Sequence, residues 1–209
     1  MATTRGPMNS LRASGSIGDA INYTPTKRGT SIRKKRRTQP APSGHQVATQ
    51  AMMRFLQNAW RSLTNDQLNS WPNAPGASVA SAYHAYLSYN MARWATFNLP
   101  SAAYPANLTG PAATFGGLSL LPRPRSILAQ LSAAPPVENW GWILHRSTTA
   151  GFTPGRENAI AVIPAPNQIL LYHLDTPLPF CPHYYRVMGF TFTARFSNYS
   201  AQKTATPLD

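Results

Sequence analysis

The chain has 209 residues, 43 % of them hydrophobic, with 19 Lys+Arg against six Asp+Glu and a formal net charge of +13. The length suits one or two domains and the apolar content supports a packed core, which excludes a wholly disordered chain. No apolar run reaches the roughly 18 residues of a membrane-spanning helix, the first twenty residues lack a signal peptide's apolar stretch, and a lone cysteine, Cys181, excludes an internal disulfide framework or a multi-cysteine zinc site.

The positive sign comes mainly from missing acids. Asp19, Asp66, Glu138, Glu157, Asp175 and Asp209 are scattered, with no close pair of the kind that hydrolases, phosphoryl-transfer enzymes and metal sites draw on. A basic, acid-poor chain with 20 prolines reads as a binding or assembly part, not an enzyme, with no cofactor and no metal.

Residues 1–45 form a basic extended arm. Arg5, Arg12, Lys27, Arg28, Arg33, Lys34, Lys35, Arg36 and Arg37 against Asp19 alone give it +8. Such a stretch repels itself and has little to bury, so alone it should be disordered. Ile17, Ile21 and Tyr23 alternate with polar residues, and Thr30-Ser31-Ile32 follows a Lys27-Arg28-Gly29 turn, which predicts a short hairpin formed against a partner. The candidate binding residues are Lys27, Arg28, Arg33, Lys34, Lys35, Arg36 and Arg37. They suit docking on an acidic partner surface, neutralisation of phosphates with release of counterions, or a solvated tail. No aromatic lies within Ser31–Arg37 to stack on bases.

Residues 46–99 form a small helical module. Val47, Met52, Phe55, Leu56, Ala59, Trp60 and Leu63 recur at helical spacing. Thr64 and Gln67 fit a capping box that starts a short helix ending at Trp71-Pro72. A third helix is predicted over about 78–97, with Val79, Ala82, Tyr83, Tyr86, Leu87, Asn90, Met91 and Trp94 along one side. Trp60, Leu63, Trp71 and Trp94 are its expected core. The module is small enough to need support from elsewhere in an assembly.

Residues 100–112 are a Pro/Ala linker, and from 113 the apolar period changes to two. Segments 118–120, 127–131, 140–145, 160–163, 168–172, 183–188 and 203–206 alternate as strands, at the spacing of an antiparallel sandwich over 113–209. Leu118, Leu131, Trp142, Leu144, Val162, Leu170, Tyr185 and Val187 are expected to fill it, and the sandwich is expected to fold by itself. Trp140 and Trp142 share parity, so both should point inward. The fold class is thus multidomain α and β, an extended arm and a helical module followed by an antiparallel β-sandwich.

The histidines His45, His84, His145, His173 and His183 show no metal-binding spacing. Cys181 has His183 two residues away but no third group to orient it, so it reads as a small structural residue.

Two resemblances follow from these residues. Trp142 in a W-x-I-x-H-R-S strand, Tyr184-Tyr185-Arg186-Val187, and Phe196-Ser197-Asn198-Tyr199-Ser200 resemble the third, sixth and seventh strands of a fibronectin type III or immunoglobulin-like domain. That resemblance implies a tyrosine corner at Leu174 with Tyr184 or Tyr185. Gly15-Ser16-Ile17-Gly18-Asp19, Arg33–Arg37, and Trp60, Leu63-Thr64, Gln67 and Trp71 in W-x-x-L-T-x-x-Q-x-x-x-W resemble a group of tailed-phage and prophage structural proteins. The implied role is a virion component assembled in the host cytoplasm. It would be head-associated, as a minor capsid, decoration or stabilising protein present in multiple copies, touching capsid, portal or neck, or tail proteins and no membrane. The alternatives are a neck or tail component, or a nucleic-acid-binding protein using the arm.

Overall fold

The structure, a computed structural model, describes residues 15–17, 21–26, 29–34, 41–78, 81–113, 117–132, 139–165 and 170–209. Contacts divide the chain into two compact units, Met1–Ala41 and Pro42–Asp209.

In the first unit β1 (Gly15–Ile17), β2 (Ile21–Thr26) and β3 (Gly29–Lys34) form an antiparallel sheet in that order. Tyr23 pairs with Ile32 on one side and Gly15 on the other, and Ile21 pairs with Lys34 and Ile17. The expected hairpin is β2–β3. The residues before it fold back as a third strand instead of running on to residue 23.

The second unit opens with α1 (Gly44–Ala59). Ser43 and Gln46 close a capping box at its start. Ala48, Met52, Phe55, Leu56 and Ala59 form its buried stripe. Thr64 and Gln67 cap α2 (Asn65–Ser70) in the same way. Pro72 sits inside a 3₁₀ turn after α2, where its missing N–H costs nothing. α3 (Ala82–Ala95) starts at Ser81, whose hydroxyl accepts from the His84 N–H.

All seven expected strands are present: β4 (Gly117–Arg123), β5 (Ser126–Ser132), β6 (Asn139–Ser147), β7 (Ala159–Pro164), β8 (Leu170–Asp175), β9 (His183–Thr191) and β10 (Lys203–Ala205). Gln168 and Ile169, expected in the fifth, lie outside the described residues. One sheet runs β4-β5-β8 and the other β10-β9-β6-β7, every pairing antiparallel.

The four-stranded sheet is buried on both faces. One face meets β4 and β5 through Trp142, Leu144, Tyr185 and Val187, packed with Leu118, Ile127 and Leu131. The other lies under the helices, where Trp140, Ile143, Met188 and Phe190 join Met52, Phe55, Leu56 and Trp94 in one core. Phe55 meets the rings of Trp140 (5.1 Å) and Phe190 (5.3 Å) edge-on. The support that the small helical core requires therefore comes from the chain's own β-sheet.

Contacts do not divide 46–99, 100–112 and 113–209 into separate bodies, because Pro42–Asp209 is one unit. The Pro/Ala stretch is pinned between the layers. Trp71 Nε1 donates to Ala102 O (2.9 Å), and the Ala102 N–H donates to Phe192 O (2.9 Å). Asn90, fully buried in the helical stripe, exchanges two hydrogen bonds with the Ser101 backbone. Arg156, in the 3₁₀ turn before β7, joins the helices to the sheet, donating to Ala95 O at the end of α3 and to Thr49 Oγ1 on α1.

Two expectations about side-chain direction fail, both on the double-faced sheet. Trp140 does not share the inter-sheet space with Trp142. The β6–β9 register slips between Asn139 and Gly141, so one extra β6 residue turns Trp140 over to the helices. Val162 also packs on the helix side, leaving Ala161 and Ile163 to the sandwich interior.

Candidate functional site

The described carboxylates build no reactive pair. Asp175 is held at the end of β8 by Arg146 Nη1 (2.6 Å) and by the Tyr185 hydroxyl (2.9 Å). This cluster ties the two sheets together at one end and takes the place of the expected tyrosine corner. Leu174 is 51 % exposed, and the corner's acceptor is the neighbouring carboxylate. Burial first, and the Asp175 charge second, push the Tyr185 hydroxyl pKa well up, so it stays a donor. Among the described residues no group of three or more His, Cys, Asp or Glu could hold a metal ion.

Cys181 Sγ lies 3.7 Å from His183 Nε2, but that nitrogen also faces Pro179 O at 3.2 Å. A proton donated to the carbonyl leaves Nε2 no lone pair for the thiol, so the pair lacks a base.

Of the arm's candidate residues, Arg33 and Lys34 fall on β3, at register positions opposite Asn22 and Ile21. Lys27, Arg28, Lys35, Arg36 and Arg37 lie outside the described residues. Of the expected core residues, Trp71, Trp94, Tyr185 and Val187 are fully buried, and Leu63 and Trp142 are nearly so. Trp60 is only half-buried. It lies edge-on to Tyr83 at the rim of a recess with Gln57, Asn58 and Arg61.

A feature that periodicity did not indicate is a groove of about 290 Å³ on the body, between the end of α3 and the segment after β9. Phe97 closes α3 in a Schellman turn. Its N–H donates to Trp94 O and the Asn98 N–H to Arg93 O, with Phe97 itself at φ 59°, where glycine is usual. Across the groove Ala194 sits at φ 61°, in a turn closed by hydrogen bonds between Thr191 and Arg195. Met188 and Leu99 also line the groove. Leu108 (58 % exposed), Phe196 (60 %) and Tyr199 (36 %) open to solvent around it. Arg93 Nε donates to Leu99 O, and Arg195 Nη1 donates to Leu108 O.

Under the groove lies His145, its ring edge-on to both Phe97 and Tyr199. Nδ1 faces two acceptors, Asn158 Oδ1 (3.0 Å) and Gly155 O (3.2 Å). Asn158 Oδ1 is fixed as an acceptor by the Gly155 N–H, so Nδ1 carries the proton. Nε2 is buried without a hydrogen-bond partner among the described residues. Burial, only partly opposed by the Asn158 and Gly155 hydrogen bonds and the Glu157 charge, pushes the pKa down to about 4.

The segment that resembles a seventh strand, 196–200, is not one. Its serines nevertheless complete β9. Ser197 both donates its N–H to Gly189 O and accepts the Gly189 N–H on Oγ, and Ser200 does the same with Val187. Two hydroxyls thus stand in for ladder carbonyls and carry Phe196 and Tyr199 to the groove.

No family model and no curated protein matches the chain. Among solved structures it is similar to a β-1,2-glucanase from Parabacteroides distasonis, 19 % identical over 53 % of this chain and 14 % of that one, with a TM-score of 0.39. It is also similar to a spore cortex lytic enzyme of Clostridium perfringens, 16 % identical over 46 % of this chain and 27 % of that one, with a TM-score of 0.33. The chain thus spans well under a third of either structure.

Proposed function

We propose that this chain is a non-enzymatic structural component of a tailed-phage particle. It is head-associated, as a minor capsid, decoration or stabilising protein in multiple copies, and its basic arm anchors it to other virion proteins. The observation that carries the reading is that residues 1–41 form a unit apart from the body, while the arm brings +8 to a chain of +13. A short three-stranded sheet carrying this much like charge repels itself, which favours holding it against a partner.

The body supports the same reading. Its β4-β5-β8 and β10-β9-β6-β7 sheets form an antiparallel β-sandwich, which supports reading it as fibronectin type III-like, a fold used for binding and spacing. The W-x-x-L-T-x-x-Q-x-x-x-W stretch has a structural purpose: Thr64 and Gln67 cap α2, and Leu63 and Trp71 enter the core. Among the described residues no helix is long and apolar enough to cross a membrane.

The competing reading is nucleic-acid binding through Arg33–Arg37. Affinity for duplex DNA measured against salt separates the two. Weak binding, with the arm contacting protein in a map of the particle, supports anchoring. A steep salt slope that disappears when Lys34, Lys35, Arg36 and Arg37 are replaced by Gln supports the nucleic-acid reading instead.

A further inference from the structure

We propose that the groove between α3 and the segment after β9 is a second docking site, independent of the arm. Its occupant is a short peptide segment of a partner protein in which an apolar side chain is flanked by carboxylates. At about 290 Å³ the groove is at the small end of ligand cavities, with room for one or two side chains. Its walls are apolar and concave, and Leu108 and Phe196 at its mouth are each more than half exposed, although nothing in the chain's own core requires them there.

The backbone singles out the same place. Of the three non-glycine residues with positive φ among the described residues, two, Phe97 and Ala194, line this groove from opposite sides. A left-handed residue with a side chain is strained, and such strain gathers at binding sites. At 97 the strain sets an aromatic ring between Trp94 and His145 as a groove wall.

Charge specifies the occupant. No carboxylate lines the groove. Arg93 uses Nε to hold Leu99 O, and its terminal nitrogens have no hydrogen-bond partner among the described residues. Arg195 lies beside Ala194 and Phe196 with one terminal nitrogen on Leu108 O. Two guanidiniums steadied by backbone carbonyls, beside an apolar recess, suit a carboxylate next to a buried side chain. The concave walls favour a peptide side chain over a nucleobase, which stacks on an open ring face.

The test is a titration of the isotope-labelled full chain, followed by nuclear magnetic resonance, with an N-acetylated Asp-Phe-Asp-Leu amide, its Asn-Phe-Asn-Leu counterpart and oligothymidine. The acidic peptide should shift Phe97, Leu108, Met188, Phe196 and Tyr199 saturably, binding at least tenfold more tightly than the neutral one. Arg93→Gln should remove that preference. Phe196→Asp, or Leu108→Asp at the second exposed position, should remove binding. The proposal is overturned if the acidic peptide moves only resonances of residues 1–41, if both peptides bind equally, if neither binds, or if oligothymidine moves the groove resonances instead. None of these outcomes depends on whether the arm anchors the chain.

Discussion

Gly141 lies directly against the ring of Phe190. A Cβ at position 141 would come within 2.7 Å of Phe190 Cζ and 3.0 Å of Ile163 O. The absent side chain lets β6 bulge, turns Trp140 to the helices and seats Phe190 between Phe55 and Trp140. Gly141→Ala should therefore destabilise the body by about 1–3 kcal/mol through overpacking, read from denaturant midpoints at unchanged slope. A change near zero would show that the ring is not fixed there.

Tyr185→Phe should destabilise by about 1.5–3 kcal/mol, because it leaves the 93–100 % buried Asp175–Tyr185 pair without its charged hydrogen bond. Asp175→Asn should cost less in the Phe background than alone. Additive effects in that double-mutant cycle would deny the coupling.

His145 gives the body a pH dependence with a definite sign. Its pKa is about 4 when folded and about 6.5 when unfolded, so the unfolded chain takes up the proton first as pH falls. The contribution is complete above pH about 6.5 and is lost toward pH 4, at about 1.4 kcal/mol per pH unit. Unfolding midpoints at pH 7 and 5 should separate clearly, and less so in His145→Gln. An equal pH slope in both proteins would remove the assignment.

How far the sequence revealed this arrangement depended on how many faces each element buries. Thr64 and Gln67 and all seven strands were legible, because caps and period-two runs are local signals. The third layer was hidden. Trp140 to Leu144 and Val187 to Phe190 are continuous apolar runs, which mark a strand buried on both faces, but a sandwich explains one face only. Gly141 was the one visible sign that parity would break. The groove left no periodic trace, because Phe97 and Ala194 occupy positions where glycine would have announced the turns.

The same burial sets the expected behaviour of residues 113–209 alone. Without the helices, Trp140, Ile143, Met188 and Phe190 face water, so this fragment should aggregate or bind hydrophobic dyes strongly, where residues 42–209 should not. A monomeric, cooperatively folding 113–209 fragment would mean the helices are dispensable.

The most direct measurement is the occupancy, in assembled particles, of a chain lacking residues 1–40 compared with the full chain. By contacts the arm and the body are two compact units, so the shortened chain should keep its unfolding midpoint and be absent from particles. Incorporation at full occupancy would contradict anchoring by the arm.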